Sequence, residues 1–343
     1  MIKLNSHIKE KSNKNRRTSM KIGIFGCGAY GMALSSILME NKCQITMWTK
    51  FEEEKEQLEK NRCNEKLLPN FTLSNNIKIT TDIKECIENK DLLIVAIPAA
   101  HVDTLAIEMK PYVKNNHILI ATKGIEQDTG LFINQILEKY LDTKNIAVIS
   151  GPTFAIDLIT KMPAGLAIAS KKKETIKRAK KALQNSYIKL RETNDVIGVE
   201  ICGSIKNVIA LSSGMLAGLG ANDSTTAMLL TEAIHDMKEI IDAFKGDKKT
   251  VLSFAGFGDL ILTCTSTKSR NYSFGKLIGE GSTKEEIEEY LKNTTVEGYY
   301  TLESIYKLLK NKKVSIPIID LIYDIAVEGE DPKKLLTFLV EKL

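Results

Sequence analysis

The chain has 343 residues and a mass of 38.2 kDa, a length that is typical of two domains. Its composition, 43% hydrophobic and 27% charged, excludes wholesale disorder, a collagen-like repeat and a membrane bundle. The net charge of +5 comes from residues 1–20, because acidic and basic side chains balance in the remainder. That balance argues against a broad nucleic-acid surface. The longest uninterrupted apolar run, residues 92–100, is shorter than the roughly 20 residues of a membrane-spanning helix.

The cysteines and histidines predict no metal site. The six cysteines lie far apart without the paired spacing of a zinc site, which favours free thiols in a reducing, cytoplasmic compartment. The four histidines form no ligand cluster, and we expect His101 and His235 to be structural or surface residues. Residues 1–20 are basic and polar, and we predict a disordered extension there. Organellar targeting by this segment is the alternative.

Strand-like apolar runs alternate with helical stretches in the first half of the chain. The strand-like runs are residues 21–25, 44–49, 77–80, 91–98, 118–122, 146–150 and 166–170. The clearest helical stretches between them are residues 30–40, 52–62 and 171–185. This alternation predicts an α/β fold, a doubly wound Rossmann-type parallel sheet over residues 21–197.

Helix-like segments dominate the second half, where no strand alternation of comparable clarity is found. These segments are residues 201–219, 225–244, 273–278, 284–292, 301–309 and 318–327. We therefore predict an all-helical C-terminal domain over residues 198–343 that binds the substrate.

A glycine-rich turn follows the first strand and opens the first helix. Gly26, Gly28 and Gly31 match the GxGxxG pattern in this context, with Ala29 and Tyr30 between the last two. Such a turn allows a dinucleotide pyrophosphate to approach the helix N-terminus. At the end of the second strand Lys50 takes the place of an acidic residue, which mildly favours NADP or dual use. Glu52–Glu54 lie close enough in sequence to oppose that preference.

Lys206 is the strongest candidate for chemistry. It lies in an otherwise apolar helical stretch, and its helical neighbours Cys202, Gly203, Ala210, Ser213 and Gly214 are small. We interpret this face as leaving room for a ligand. Burial lowers the pKa of a lysine, and a lysine tuned towards neutral pH can exchange a proton with a substrate oxygen. The alternative is a core-helix lysine whose ammonium reaches solvent.

Three further segments carry polar side chains in turns. Thr122-Lys123-Gly124 and Ser150-Gly151-Pro152-Thr153 each follow a sheet strand, at the edge where open α/β sheets bind ligands. Asp259 is presented between glycines, and residues 263–271 combine hydroxyls, an Arg and an Asn. These groups suit a phosphate; an ordinary polar surface loop is the alternative.

These pieces, in this order, resemble the NAD(P)-dependent glycerol-3-phosphate dehydrogenases of bacterial type. The resemblance spans about residues 20–343. It rests on GVEICGSIKNVIAL (198–211), GFGDLILTCTSTKSRN (256–271), SGPTFA (150–155), TKGIE (122–126) and VEG (296–298). Departures are Ala29-Tyr30 where the family often has Ser-Trp, and Phe51 where it often has Arg. The loop 220–225 is left without an interpretation.

The resemblance implies a role for each matching residue. The catalytic residues are Lys206 as proton donor and acceptor, Lys123 and Asp259. Substrate-binding residues are Lys123, Gly151, Thr153, Lys206, Asp259, Thr263, Ser269, Arg270 and Asn271. Cofactor-binding residues are Gly26, Gly28, Ala29, Tyr30, Gly31, Lys50, Lys123, Ala155, Arg270, Thr295 and Glu297. No metal is implied.

The implied activity is NAD(P)H-dependent reduction of dihydroxyacetone phosphate to sn-glycerol 3-phosphate for phospholipid synthesis, in a cytoplasmic homodimer. Small-molecule substrates are the expected partners, without nucleic acid or an integral membrane segment. One alternative is a related β-hydroxyacid or sugar-acid dehydrogenase, which should have a second Arg near the site. The other is a non-catalytic nicotinamide sensor, which should have lost Lys206 or Asp259.

Overall fold

A computed structural model describes residues 19–341 apart from residues 128, 311 and 313. Residues 1–18 of the predicted N-terminal extension therefore lie outside the described residues. Met20 is buried, and its carbonyl accepts a hydrogen bond from the Gln44 amide at 2.8 Å. The folded body thus includes Met20, the last residue of the predicted extension.

One twisted sheet forms the first half of the molecule. Its strands are β1 (Lys21–Phe25), β2 (Gln44–Trp48), β3 (Lys78–Thr80), β4 (Leu92–Val95), β5 (Ile118–Ile120), β6 (Ile146–Ser150), β7 (Ala164–Ala169) and β8 (Ile188–Thr193). They are ordered β3-β2-β1-β4-β5-β6-β7-β8. The first six strands are parallel, β7 pairs antiparallel with β6, and β8 runs parallel to β7.

The predicted strands of the sheet were confirmed, and the differences lie at its far edge, where β7 pairs antiparallel with β6 instead of parallel and the strand β8 was not predicted. β8 was missed because its pattern, with Lys189 and Arg191 exposed between buried Ile188 and Leu190, is that of an edge strand with one solvated face. Within β4, Leu93 and Val95 enter one core cluster and Leu92 and Ile94 the other. The sheet is therefore covered on both faces, as the continuous apolar run 92–95 predicts.

Helices cover the sheet and form the second half. Those of the first half are α1 (Ala29–Glu40), α2 (Glu52–Asn61), α3 (Ile83–Ile87), α4 (Val102–Met109), α5 (Ile133–Tyr140), α6 (Ala155–Leu158) and α7 (Lys173–Leu183). Those of the second half are α8 (Val196–Gly218), α9 (Asp223–Ala243), α10 (Asp259–Cys264), α11 (Arg270–Gly279), α12 (Lys284–Asn293), α13 (Glu297–Lys310), α14 (Pro317–Ala326) and α15 (Lys334–Val340). Tight helical turns span Ala99–His101, Lys248–Leu252 and Phe254–Gly258.

Helix α8 is the central element of the helical half. Within the described part of the chain it is the one helix long and apolar enough to cross a membrane by length and composition. Its most apolar stretch is 94% buried inside the protein, because α9, α10, α11 and α13 surround it. These contacts, rather than lipid, account for its hydrophobicity.

The loop 220–225, for which the sequence supported no prediction, connects α8 and α9. Gly220 adopts φ +77 just after α8, which is the left-handed conformation common at helix C-termini. The Asn222 side chain accepts a hydrogen bond from the Thr225 amide at 3.0 Å and caps α9. The loop therefore ends one helix and begins the next.

Candidate active site

The carboxyl ends of the parallel strands bring the predicted motifs to one edge of the sheet. The glycine turn follows β1, Thr122 and Lys123 follow β5, and Ser150 ends β6. Because these strands are parallel, their carboxyl ends share this edge, where ligands bind in open α/β sheets.

The glycine turn is shaped for the pyrophosphate of a dinucleotide. Gly26 adopts φ +117, and a Cβ there would lie 2.5 Å from the Ala96 carbonyl oxygen. A Cβ at Gly31 would overlap the Gly26 carbonyl. Gly28 differs, because an added Cβ there meets no atom within 4 Å. Gly28 is also the N-cap of α1, and no side chain caps that helix. The N-terminal amides of α1 are thus available to an anion.

Gly28→Ala is expected to weaken NADH binding at least about tenfold, a change of roughly 1.4 kcal/mol, without destabilising the protein. The new methyl group meets no protein atom, and the backbone at φ −66 suits alanine. It would occupy the space through which the pyrophosphate approaches. Fluorescence titration with NADH and a thermal melt measure the two effects. An unchanged Kd would place the pyrophosphate elsewhere.

Two other predicted cofactor residues lie beside this turn. The Tyr30 hydroxyl is 2.9 Å from the Thr153 hydroxyl, which joins the start of α1 to the turn after β6. Ala155 is the first residue of α6 and packs with the same core cluster as Tyr30. In that turn, a Cβ at Gly151 would lie 2.5 Å from the Gly165 carbonyl oxygen. Glycine at position 151 thus allows β6 and β7 to pair closely.

Acidic and basic side chains both stand at the end of β2. The Lys50 side chain is 59% exposed and lies 3.8 Å from the Glu108 carboxylate. The Thr49 hydroxyl donates a hydrogen bond to Glu54, which brings a carboxylate to the strand end. Phe51 is exposed. The end of β2 therefore offers one carboxylate and one weakly paired ammonium to a ribose.

Two lysines meet at one buried carboxylate. Lys206 Nζ on α8 lies 2.6 Å from Asp259 Oδ1 and 2.8 Å from the Thr263 hydroxyl oxygen. Lys123 Nζ, after β5, lies 2.7 Å from Asp259 Oδ2. Ser150 Oγ is 3.4 Å from the same Oδ2. Sheet and helical half thus both contribute to this cluster.

The two lysines differ in protonation. Burial lowers the pKa of Lys206 to about 8, although Asp259 opposes this shift. Burial also lowers the pKa of Lys123, but Asp259 and Tyr30 raise it more, so its net direction is upward. Burial raises the pKa of Asp259, and the two lysines more than offset this. Lys206 is therefore the lysine poised to exchange a proton near neutral pH, and Lys123 remains a cation.

The small residues around Lys206 serve packing as well as the site. At Gly203 an added Cβ would lie 3.0 Å from Ser150 Oγ and 3.6 Å from Lys123 Cγ, so this glycine lets α8 approach the sheet edge. The interpretation of the whole face as space for a ligand is wrong at two positions. A Cβ at Gly214 would overlap the Tyr272 carbonyl, and the Ser213 hydroxyl donates a hydrogen bond to the Cys264 carbonyl at 2.6 Å.

Ser269, Arg270 and Asn271 form the start of α11 rather than one polar loop. Ser269 Oγ caps the helix by accepting from the Tyr272 amide at 3.3 Å, and Arg270 is exposed. Asn271 Nδ2 donates to Asn207 Oδ1 at 3.1 Å, and its Oδ1 accepts from the Gly298 amide at 2.8 Å. Asn271 thus ties α11 to α8 and α13.

A small cavity beside Lys123 lies towards α13. Lys123, Thr295 and Glu297 line a cavity of about 50 Å³ together with the turn at Pro98–Ala100. Burial raises the pKa of Glu297, and Arg270, Lys123 and Lys206 oppose that shift. The late residues 295 and 297 are therefore next to the lysine cluster, although they are far from it in sequence.

Ser150 and Glu200 were not predicted individually as site residues from the sequence. Ser150 was quoted within a motif, and its position at the end of β6 was the signal for its role. Glu200 is a carboxyl residue inside an apolar helix, the same signal that selected Lys206. His101 and His235 are both exposed.

Fold and site together define a dinucleotide-dependent dehydrogenase. Residues 21–176 match the family described as NAD-dependent glycerol-3-phosphate dehydrogenase N-terminus, and residues 195–337 match its C-terminus. The chain belongs to this family. It is 35% identical to the glycerol-3-phosphate dehydrogenase [NAD(P)+] of Staphylococcus haemolyticus over 91% of this chain and 95% of that protein. It is 35% identical to the protein of that name from Fusobacterium nucleatum, over 91% and 94%.

Comparison with solved structures supports the same family assignment. The crystal structure of glycerol-3-phosphate dehydrogenase from Coxiella burnetii superimposes with a TM-score of 0.88 and 27% identity, over 94% of this chain and 99% of that chain. The predicted family, fold class, enzyme class and nicotinamide cofactor are confirmed.

Proposed function

We propose that the chain reduces dihydroxyacetone phosphate to sn-glycerol 3-phosphate with NADH or NADPH and catalyses the reverse oxidation, supplying glycerol 3-phosphate for phospholipid synthesis. The observation that carries this proposal is the pair of lysines on one buried carboxylate at the carboxyl edge of the sheet. Its support is that relatives carrying this activity in their names match over almost the whole chain.

A dinucleotide whose pyrophosphate lies at the glycine turn would supply, from its nicotinamide, the hydride that C2 of the substrate receives. Lys206 donates a proton to the carbonyl oxygen and accepts it in the reverse direction. Asp259 and Thr263 hold its amino group in place through the contacts described above. Lys123 stays charged and stabilises the negative charge that develops on the oxygen.

The start of α11 is the proposed phosphate site. Arg270 presents a guanidinium at the helix N-terminus, where a phosphate is favoured. Ser269 shapes this terminus as its cap. The side-chain amide of Asn271 donates one N–H to Asn207, and its second N–H is assigned as a hydrogen-bond donor to the substrate phosphate. Binding the phosphate away from C2 orients the carbonyl for reaction.

The test is oxidation of NADH and NADPH by purified protein with dihydroxyacetone phosphate, followed by the absorbance of the reduced nicotinamide. We expect turnover with this substrate and none with β-keto acids of similar size. Turnover restricted to a keto acid would favour the sugar-acid dehydrogenases. NADH binding by folded protein without turnover of either substrate would favour a nicotinamide sensor.

Lys50→Ala is expected to change the NADPH-to-NADH ratio of kcat/KM by less than about fivefold. The Lys50 ammonium is exposed and weakly paired with Glu108, and exposed charge contacts contribute about 0–1 kcal/mol. Glu54→Gln is the comparison variant, and it should raise the ratio more because it removes the carboxylate held at the strand end. If Lys50→Ala instead lowered the NADPH-to-NADH ratio of kcat/KM tenfold or more, Lys50 would be assigned as the ligand of the 2′-phosphate.

We further propose a cytoplasmic homodimer with a dinucleotide-binding unit over residues 21–197 and a substrate unit over 198–343. Five of the six cysteines are buried and none is in a disulfide, which fits a reducing compartment. The boundary falls in the first turn of α8. Exposed Leu252, Phe257 and Ile261 lie close together in sequence beside the site and are candidates for the dimer contact. Sedimentation analysis tests the dimer.

A further inference from the structure

A second buried acid lies behind the lysine cluster. Glu200 is on α8, six residues before Lys206, and only 6% of its surface is exposed. Its Oε1 accepts a hydrogen bond from the Asn134 amide at the start of α5, at 2.9 Å. Its Oε2 is buried and has no hydrogen-bond partner. A buried carboxyl oxygen without a partner is costly, and it calls for a ligand, a water or a proton.

The space beside Glu200 leads to Lys123. Glu200 lines a small cavity of about 10 Å³ that Lys123, Ser150, Gly203 and Ser204 also line. This volume is at the lower limit for one water molecule. The wall is mostly apolar, and its side-chain hydrogen-bonding groups come from Thr122, Lys123, Ser150, Glu200 and Ser204. Ser150 in turn lies beside Asp259 Oδ2. One water can therefore connect Glu200 to the carboxylate that both lysines share.

The charges around Glu200 do not pair with it. Lys123, after β5, directs its ammonium to Asp259. Asn134 on α5 contributes a neutral amide, and Glu138 on the same helix adds a like charge. Ser150 from β6 and Ser204 from α8 are neutral, and the Ser204 hydroxyl is already donated to the Glu200 carbonyl. Burial, reinforced by Glu138, raises the pKa of Glu200 to about 8. The neutral acid is the form that this environment favours.

We propose that Glu200 is a positioning residue of the active site: as a neutral acid it donates a hydrogen bond to one water in this cavity, which fixes Ser150 and the Lys123 segment against Asp259. Ionisation would place a carboxylate opposite Lys123 and compete with Asp259 for its ammonium. The inference rests on the proposed function for its kinetic consequence, because it assigns the lysine cluster to catalysis. The protonation state of Glu200 is independent of that assignment.

The first test is spectroscopic and needs no activity. Infrared difference spectra of the wild type and Glu200→Gln at neutral pH should contain the carbonyl band of one protonated carboxylic acid. The band should disappear with a midpoint near pH 8. Absence of such a band, with both proteins folded, would overturn the proposal whether or not the enzyme reduces dihydroxyacetone phosphate.

The second test uses two variants of matched length. Glu200→Gln retains a carbonyl acceptor for Asn134 and an N–H donor for the water, so we expect kcat within about threefold of wild type near neutral pH. Glu200→Met removes both, and kcat should fall at least about tenfold through misplacement of Lys123, with a smaller change in KM.

The pH profile gives a further comparison. Above pH 8, the wild-type kcat/KM for reduction should fall with the loss of two protons, one from Glu200 and one from Lys206. The kcat/KM of Glu200→Gln should fall with the loss of one proton, from Lys206. Wild-type kcat in Glu200→Met, or identical pH profiles for wild type and Glu200→Gln, would reduce Glu200 to a packing residue.

Discussion

Lys206→Ala is expected to lower kcat for dihydroxyacetone phosphate reduction by about 10²-fold or more, because it removes the group that protonates the carbonyl oxygen. KM should change less than kcat, since the lost interaction is made mainly in the transition state. Initial rates with saturating NADH and varied substrate separate the two constants.

The variant should fold, because the buried carboxylate keeps a partner. Asp259 Oδ2 retains Lys123 at 2.7 Å when Lys206 is removed, so the residual cluster is not an isolated buried charge. Lys189→Ala, an exposed lysine on β8, is the control and should retain wild-type rates. Turnover of Lys206→Ala close to that control would refute the assignment of Lys206 as proton donor.

The same assignment fixes the sign of the pH dependence. Reduction needs the Lys206 ammonium, so kcat/KM for dihydroxyacetone phosphate should fall as pH rises through about 8. Oxidation of glycerol 3-phosphate needs the neutral amine, so its rate should rise over the same range in Glu200→Gln, where Glu200 no longer titrates. In that variant, we expect the rate of reduction to fall and the rate of oxidation to rise near the same pH. An alkaline fall in both directions in that variant would point to a group other than Lys206.

The sequence predicted the elements that have strong periodicity. The strands β1 to β7 each overlap a strand-like run of the sequence, and the glycine turn was recognisable because it lies between a strand and a helix. The order of β7 and β8 in the sheet was not predictable, since antiparallel pairing with β6 depends on the path of the chain after Ser150. Helix α10 was hidden because its glycine-rich start and hydroxyl residues have turn composition.

The site residues were predictable as chemical types but not in their contacts. Lys206 stood out as a cation in an apolar helix, and Asp259 as a carboxylate between glycines. That both lysines share this one carboxylate follows from the approach of α8 and α10 to the end of β5, which no local pattern encodes. The role of Gly214 was misread for the same reason, because small residues admit a ligand and a neighbouring backbone equally well.

Gly275→Ala is expected to destabilise the protein by about 3 kcal/mol or more, the upper range for overpacking a core. A Cβ at Gly275 would overlap the Leu211 carbonyl of α8, and one at Gly279 would overlap that of Met215. Together with Gly214 of α8, whose Cβ would overlap the Tyr272 carbonyl, these glycines let the backbones of α8 and α11 approach closely. A backbone carbonyl within a buried helix cannot move aside as a flexible side chain can.

The destabilisation should also reach the site, because α11 carries Arg270 and Asn271 at its start. We expect the apparent melting midpoint to fall by about 5 °C or more, and KM for the substrate to rise as Asn271 shifts from Asn207 and Gly298. Gly28→Ala is the matched control: its methyl group meets no protein atom, so its midpoint should remain that of the wild type while its NADH affinity falls. The two substitutions therefore separate a glycine that serves helix packing from one that serves the ligand. Equal melting midpoints for the two variants would show that α8 and α11 can move apart without loss of stability. Close contact between their backbones would then not explain the glycines at this interface.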